Sequence, residues 1–276
     1  MITAEACPST ACTCLTDAPP EINADVDRVT IMSGVTYEVW GSGTRVVLVQ
    51  GSLTSGPIEW DGQRPLADEG YQLVVPTRRA YTTAGTGEDF VADGKDVAEL
   101  LGDGAHLVGH SYGALAALEA AAARPAAVYS LVLAEPPLFA AAPGHPDVAR
   151  FLEQVRTLYA NEGSDREFFE RLLRLVGAEP EDFAPEELDE MTQMVPAMRL
   201  GTRPWDASWP MDRLSSTSFP IVVVSGGHDG AFTAICEAMA RDLGARTAVV
   251  QGAGHEMQTV AADFNGMLLE LWRGRS

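Results

Sequence analysis

Ser111 lies in Gly109-His110-Ser111-Tyr112-Gly113, directly after the apolar run His106-Leu107-Val108 and before an alanine-rich stretch through Leu118 and Ala123. A short strand entering a tight turn and then a helix presents a hydroxyl clear of the strand. The glycines on either side avoid collision with the neighbouring strand and helix. A serine hydroxyl is a weak nucleophile until a base takes its proton, and that base needs an acid to orient it and stabilise its charged form. His255, in Gln251-Gly252-Ala253-Gly254-His255-Glu256, is the candidate base, and Asp229, in Ser225-Gly226-Gly227-His228-Asp229-Gly230, the candidate acid. Glu135 competes with Asp229: it too closes an apolar run, Val128 to Ala134, and otherwise lines the pocket or braces nearby structure.

These residues need a scaffold that brings several strand ends together. Arg28–Met32 and Val35–Trp40 read as an antiparallel hairpin, and Val46–Gln50 as a strand buried on both faces. Tyr71–Val75, the strand before Ser111, Val128–Ala134, Phe219–Val224 and Arg246–Val250 continue the series. Helices are expected at Asp89–Leu101, after Ser111, at Phe232–Leu243 and at Met257–Leu271. Strands alternating with helices imply an α/β fold with a mostly parallel sheet and helices on both faces. From residue 138 to 214 the pattern turns helical and amphipathic, with Phe151, Val155, Leu158, Phe168, Phe169 and Leu172 on apolar faces. Ligands of such sheets bind outside the carboxyl ends of the strands, so an insertion here is expected to form a lid. The division is an N-terminal arm at 1–25, a core at 26–137 and 215–276, and a helical lid at 138–214.

On these motifs the chain resembles the α/β-hydrolase superfamily from about residue 28 to about residue 272. The nucleophile elbow matches 109–113, the acid loop 226–229 and the histidine loop 252–255. The resemblance implies an eight-stranded sheet, with Ser111 as nucleophile, His255 as base and then acid, and Asp229 as its orienter. It also implies an oxyanion hole from the backbone N–H of Tyr112 and of Ser52, with Leu53 the alternative donor. The family usually has His-Gly where this chain has Gln50-Gly51, which leaves the support of that loop open. His106, His110 and His228 read as structural neighbours. Candidate substrate contacts are Leu53, Arg78 (with Arg79, at a strand end), Trp205 and Trp209; the arginines read more readily as a surface loop paired with the chain's abundant acids, the tryptophans and nearby methionines equally as packing.

The activity implied is that of a serine hydrolase cleaving a carboxylic ester or related acyl bond through an acyl-enzyme, with no metal or organic cofactor. A serine at the elbow argues against haloalkane dehalogenases and against epoxide hydrolases that form an alkyl-enzyme ester. The alternatives are a biosynthetic enzyme of secondary metabolism on the same fold (thioesterase, cyclase, lyase or C–C/epoxide-type hydrolase) and a ligand-binding member without catalysis. Composition narrows the partners: 19 basic against 39 acidic residues give a net charge of −20, unsuited to nucleic acid or an anionic membrane. A small-molecule substrate with an apolar portion is expected, and oligomeric state is left open. No run is apolar enough to span a bilayer and the first twenty residues lack a signal-peptide pattern, so the expected location is the cytoplasm. Cys7, Cys12 and Cys14 fit no zinc spacing and read as reduced thiols of the arm, and Cys236 reads as core packing.

Overall fold

The computed structural model describes residues 28–32, 35–208, 210–214 and 217–274. The arm at 1–25 with its three cysteines, and Trp209, lie outside the described residues. The strands are β1 (Arg28–Met32), β2 (Val35–Trp40), β3 (Thr44–Val49), β4 (Tyr71–Thr77), β5 (Ala105–His110), β6 (Val128–Ala134), β7 (Ile221–Ser225) and β8 (Arg246–Val249). They form one eight-stranded sheet in the order β1-β2-β4-β3-β5-β6-β7-β8. β2 runs antiparallel to both β1 and β4, and every other pairing is parallel. The expected α/β class and the mostly parallel sheet are therefore observed.

Successive side chains of a strand point to opposite faces, and the central strands supply two cores in this way. Val47, Val49, Leu107, Leu131, Leu133 and Val223 face one layer, packed beneath helices α2 (Phe90–Leu100), α3 (Ser111–Ala123) and α9 (Gly230–Leu243). Val46, Leu48, Val108, Val132, Val222 and Val224 face the other, beneath α10 (Ala261–Trp272) and the 3-10 segment Asp61–Glu69. Burial on both faces is why β3, β5 and β6 read as unbroken apolar runs. Cys236 is 3% exposed within the first layer, as expected of a packing residue. The last helix starts later than expected, because Met257–Thr259 forms a separate 3-10 turn.

Between β3 and β4 a short helix, α1 (Gly56–Glu59), follows the loop that leaves β3. Between β6 and β7 come α4 (Pro146–Ala160), α5 (Asp165–Leu175), α6 (Pro185–Thr192), α7 (Val195–Leu200) and α8 (Met211–Leu214). Leu158, Phe168, Phe169, Leu173, Leu188, Val195 and Met198 make a satellite core there, and Leu53 of the loop after β3 belongs to it. Backbone bonds fasten α7 and its following turn to the body: Glu88 N–H donates to Ala197 O (3.0 Å) and Thr202 N–H to Glu88 O (2.6 Å). Among the described residues no helix is long and apolar enough to cross a membrane.

Candidate active site

Three non-glycine residues with left-handed backbones, among those described, mark the site: Leu53 (φ 63°), Ser111 (φ 50°) and Glu135 (φ 41°). They follow the carboxyl ends of β3, β5 and β6, three adjacent strands. Such conformations cost of order 1–3 kcal/mol each and persist where surrounding structure over-determines them. At the elbow the reason for the flanking glycines is visible. A Cβ on Gly113 would stand 2.2 Å from Gln50 O, and one on Gly109 would stand 2.7 Å from Ala114 Cα.

Ser111 Oγ lies 3.0 Å from His255 Nε2, and His255 Nδ1 lies 2.6 Å from Glu135 Oε2. A carboxylate only accepts, so Nδ1 carries a proton to Glu135 and Nε2 of the neutral ring is free to accept from the serine hydroxyl. Glu135 is fully buried; its other oxygen accepts the Gly226 N–H at 2.8 Å and lies 3.4 Å from His228 Nδ1. Burial opposes its charge, but hydrogen bonds from His228 and His255, attraction to the imidazolium that His255 becomes on taking a proton, and the Gly226 N–H outweigh that and hold the carboxyl down at about 2. Position 226 has to be glycine for this approach: a Cβ on Gly226 would fall 1.8 Å from Gly254 O.

The expectation for Asp229 is corrected here. Its carboxylate caps α9, accepting the N–H of Ala231 (2.7 Å) and of Phe232 (3.4 Å), the standard means of satisfying a helix's first donors. It borders an open groove of about 770 Å³ beside α4 and α5, which includes none of Ser111, His255 and Glu135. The residue on His255 is Glu135, the alternative acid. The usable signal was a charged residue ending an otherwise apolar, doubly buried strand next to the serine strand; such a group needs a partner.

The loop after β3 is supported without the histidine expected there. Gln50 is buried, and with its amide nitrogen donating to Pro76 O (2.9 Å) its oxygen accepts the Arg78 N–H (2.8 Å). Arg78 donates through Nε to Gln50 O (3.1 Å) and through one terminal nitrogen to Gly51 O (2.6 Å) and Glu88 Oε1 (2.6 Å); the other reaches Asp93 Oδ2 (3.1 Å). Burial works against the guanidinium's charge, but Glu88 and Asp93 outweigh it and raise its pKa. Only 3% exposed, Arg78 is part of the loop's foundation, and the expectation of a substrate contact there is withdrawn. Glu88 Oε1 also accepts from Ser52 Oγ (2.7 Å) and Tyr81 O–H (2.8 Å).

A cavity of about 710 Å³ opens beside His255, walled by Ser52, Leu53, Leu173, Phe183, Met191 and Met194. Leu53 is thus part of this cavity's wall. Trp205 does not line this cavity; its ring packs edge-on against Tyr159 at 5.3 Å. Tyr112 is 3% exposed and its hydroxyl donates to Thr202 O at 2.9 Å, so this side chain ties the elbow to the segment after α7. His106 lies at the far end of β5, stacked on Trp272 at 5.2 Å.

A family model described as alpha/beta hydrolase family matches residues 46–265, and the chain belongs to that family. Among solved structures it is similar to Est816, titled an N-acyl homoserine lactone degrading enzyme, at 23% identity and a TM-score of 0.65, covering 87% of this chain and 98% of that one. Carboxylesterase CesB (YbfK) from Bacillus subtilis is 18% identical with a TM-score of 0.66, covering 87% and 88%. The thioesterase domain from the curacin biosynthetic pathway is 21% identical with a TM-score of 0.59, covering 90% and 99%. Among curated proteins none matches by sequence.

Proposed function

We propose that the chain is a serine hydrolase that cleaves a carboxylic ester or related acyl bond of a small molecule through an acyl-enzyme. The observation that carries this reading is the unbroken series Ser111 Oγ, His255 Nε2, His255 Nδ1, Glu135 Oε2, with contacts of 3.0 and 2.6 Å. Ser111 Oγ attacks the carbonyl carbon while His255 Nε2 takes its proton. Glu135, kept ionised by its surroundings, holds the ring in the required tautomer and stabilises the imidazolium. The oxyanion formed is met by the backbone N–H of Tyr112 and Ser52, a donor worth about 100- to 1000-fold in rate each. Collapse breaks the bond to the leaving group, which takes the proton from His255. Water, deprotonated by His255, then attacks the acyl carbon, and Ser111 leaves with the proton returned.

The substrate's apolar portion fits the wall formed by Leu53, Leu173, Phe183, Met191 and Met194. In this reading residues 138–214 are a lid, since Leu173, Phe183, Met191 and Met194, all from this segment, make most of that wall and pack in one core with Leu53.

The test is labelling by a fluorophosphonate probe together with turnover of p-nitrophenyl esters of increasing acyl length, a lactone and an acyl thioester. Labelling of the wild type, its loss in Ser111→Ala, and turnover of at least one acyl substrate are expected. A wild type that neither labels nor turns over any member of the panel would sink the acyl-transfer reading.

A further inference from the structure

Behind Ser111 three loops are joined by one buried pair. The side chains of Glu59, the last residue of α1, and His110, the residue before Ser111, are only 4% and 2% exposed. Glu59 Oε2 accepts the Gly51 N–H at 2.8 Å, and Glu59 Oε1 lies 3.1 Å from His110 Nδ1. On the far side of the ring, His110 Nε2 lies 3.0 Å from the backbone oxygen of His255. A carbonyl accepts and cannot donate, so Nε2 must carry a proton. Nδ1 faces a carboxylate, so a second proton must sit between Nδ1 and Oε1, whichever atom holds it. The pair is complete only with that shared proton. Without it, a ring lone pair and an anionic oxygen face each other at 3.1 Å with little water to separate them.

The three attachment points are each next to, or part of, the reacting constellation. Gly51 precedes Ser52, His110 precedes Ser111, and the third contact is made by His255 itself. There is little slack in the arrangement: a Cβ on Gly51 would come within 3.1 Å of His110 Nδ1 and 3.2 Å of Ser111 Cβ. We propose that Glu59 and His110 are positioning residues, a proton-bearing brace that fixes the oxyanion loop and the histidine loop relative to Ser111 and loosens when the shared proton is lost. The proposal rests on the acyl-transfer reading of the same site.

Among the described residues the charged and titratable groups that face His110 are Glu59 from α1, and Glu256 and His255 from the histidine loop. Glu256 Oε2 stands 4.0 Å from His110 Nδ1, and the two histidine rings are 4.9 Å apart between centroids. Burial disfavours an imidazolium here, but Glu256 and Glu59 outweigh it and raise His110 to about 9. Glu59 itself is raised by its burial, against the pull of His110. With the pKa raised, the proton is held at neutral pH and is lost as pH rises through about 9.

Glutamine at position 59 separates the brace from its proton. Its amide oxygen can accept from Gly51 while its nitrogen donates to Nδ1 of a neutral His110, so the brace closes without the extra proton. The experiment follows the rate of fluorophosphonate labelling at Ser111, from neutral to alkaline pH, in the wild type, Glu59→Gln and Glu59→Ala, with folding checked by circular dichroism. The expected wild-type rate falls on the alkaline side. Glu59→Gln labels at a comparable rate at neutral pH and lacks that fall. Glu59→Ala has a maximal labelling rate lower by about 100-fold, with probe binding little changed, as misplacement of reacting groups predicts. If folded Glu59→Ala matches the wild type in maximal rate, or if Glu59→Gln keeps the alkaline fall, the brace is overturned while the hydrolase reading stands. Should Glu59→Ala fail to fold, the alkaline comparison with Glu59→Gln decides alone. A wild type that does not label removes both readings together.

Discussion

Glu135 reaches across from the end of β6 to place Oε2 2.6 Å from His255 Nδ1, although the two residues are 120 positions apart in the chain. The contact depends on β6 and β7 lying side by side, since the Gly226 N–H that steadies the same carboxylate follows directly from β7. The first prediction is a contrast between two acids. Glu135→Gln removes the charge that holds the histidine tautomer, and turnover on a p-nitrophenyl ester should fall by about 10⁴-fold, the scale known for such replacements. Asp229→Asn, at an N-cap that asparagine fills as well as aspartate, should leave turnover within a few-fold of wild type, while Asp229→Ala should cost about 1 kcal/mol of stability. The reverse ranking of the two acids in kcat would restore Asp229 to the relay.

That Glu135 and not Asp229 stands beside His255, while the glycines about Ser111 mark its turn, is a matter of local against distant information. Gly109 and Gly113 are forced by contacts with the adjacent helix and strand, so the elbow is written into five consecutive residues. Asp229-Gly230-Ala231-Phe232 satisfies two descriptions at once, an acid loop after a strand and a helix N-cap, and nothing nearby separates them. The sheet itself was legible because β3, β5 and β6 are buried on both faces and read as apolar runs. The Gln50–Arg78–Glu88 support and the Glu59–His110 pair were not legible, because each depends on side chains meeting across loops whose paths no periodicity describes. Arg78 and Arg79 show the same limit: adjacent in sequence, one is 3% exposed and the other pairs with Asp96 nearer the surface.

That adjacency supplies a second prediction. Arg78 binds four separate acceptors from a planar guanidinium, a geometry that lysine's single ammonium cannot reproduce. Arg78→Lys keeps a charge but cannot reach Glu88, Asp93 and both carbonyls at once, so at least one buried acceptor loses its partner and a loss approaching that of a broken buried pair, about 3–5 kcal/mol, is expected. Because two of the acceptors are the Gln50 and Gly51 carbonyls, kcat should fall more than KM rises in whatever fraction remains folded. Arg79→Lys, at a partly exposed pair, should change stability by less than about 1 kcal/mol. Urea unfolding of the two variants side by side checks this; equal small losses would show that Arg78 does not carry the loop.

The third prediction concerns pH and stability at the other end of β5. His106 is 8% exposed, with Nδ1 2.8 Å from Ser130 Oγ, its ring stacked on Trp272 and edge-on to Tyr71 and Tyr129. Burial without a carboxylate partner lowers its pKa from 6.5 to about 4. The unfolded chain therefore binds a proton at this position between those values while the folded chain does not, so stability from this group is full above 6.5 and declines as pH falls towards about 4. One such group contributes at most about 1.4 kcal/mol per pH unit across that window. His106→Gln keeps a polar atom for Ser130 but has nothing to titrate. Unfolding free energies measured in urea at neutral pH and at two acidic values should show the wild type losing stability faster than His106→Gln on acidification, with the difference closing above 6.5 apart from a constant packing loss. Parallel acid dependence in the two proteins would mean that His106 is already protonated in the fold, or that the fold opens around it before it titrates.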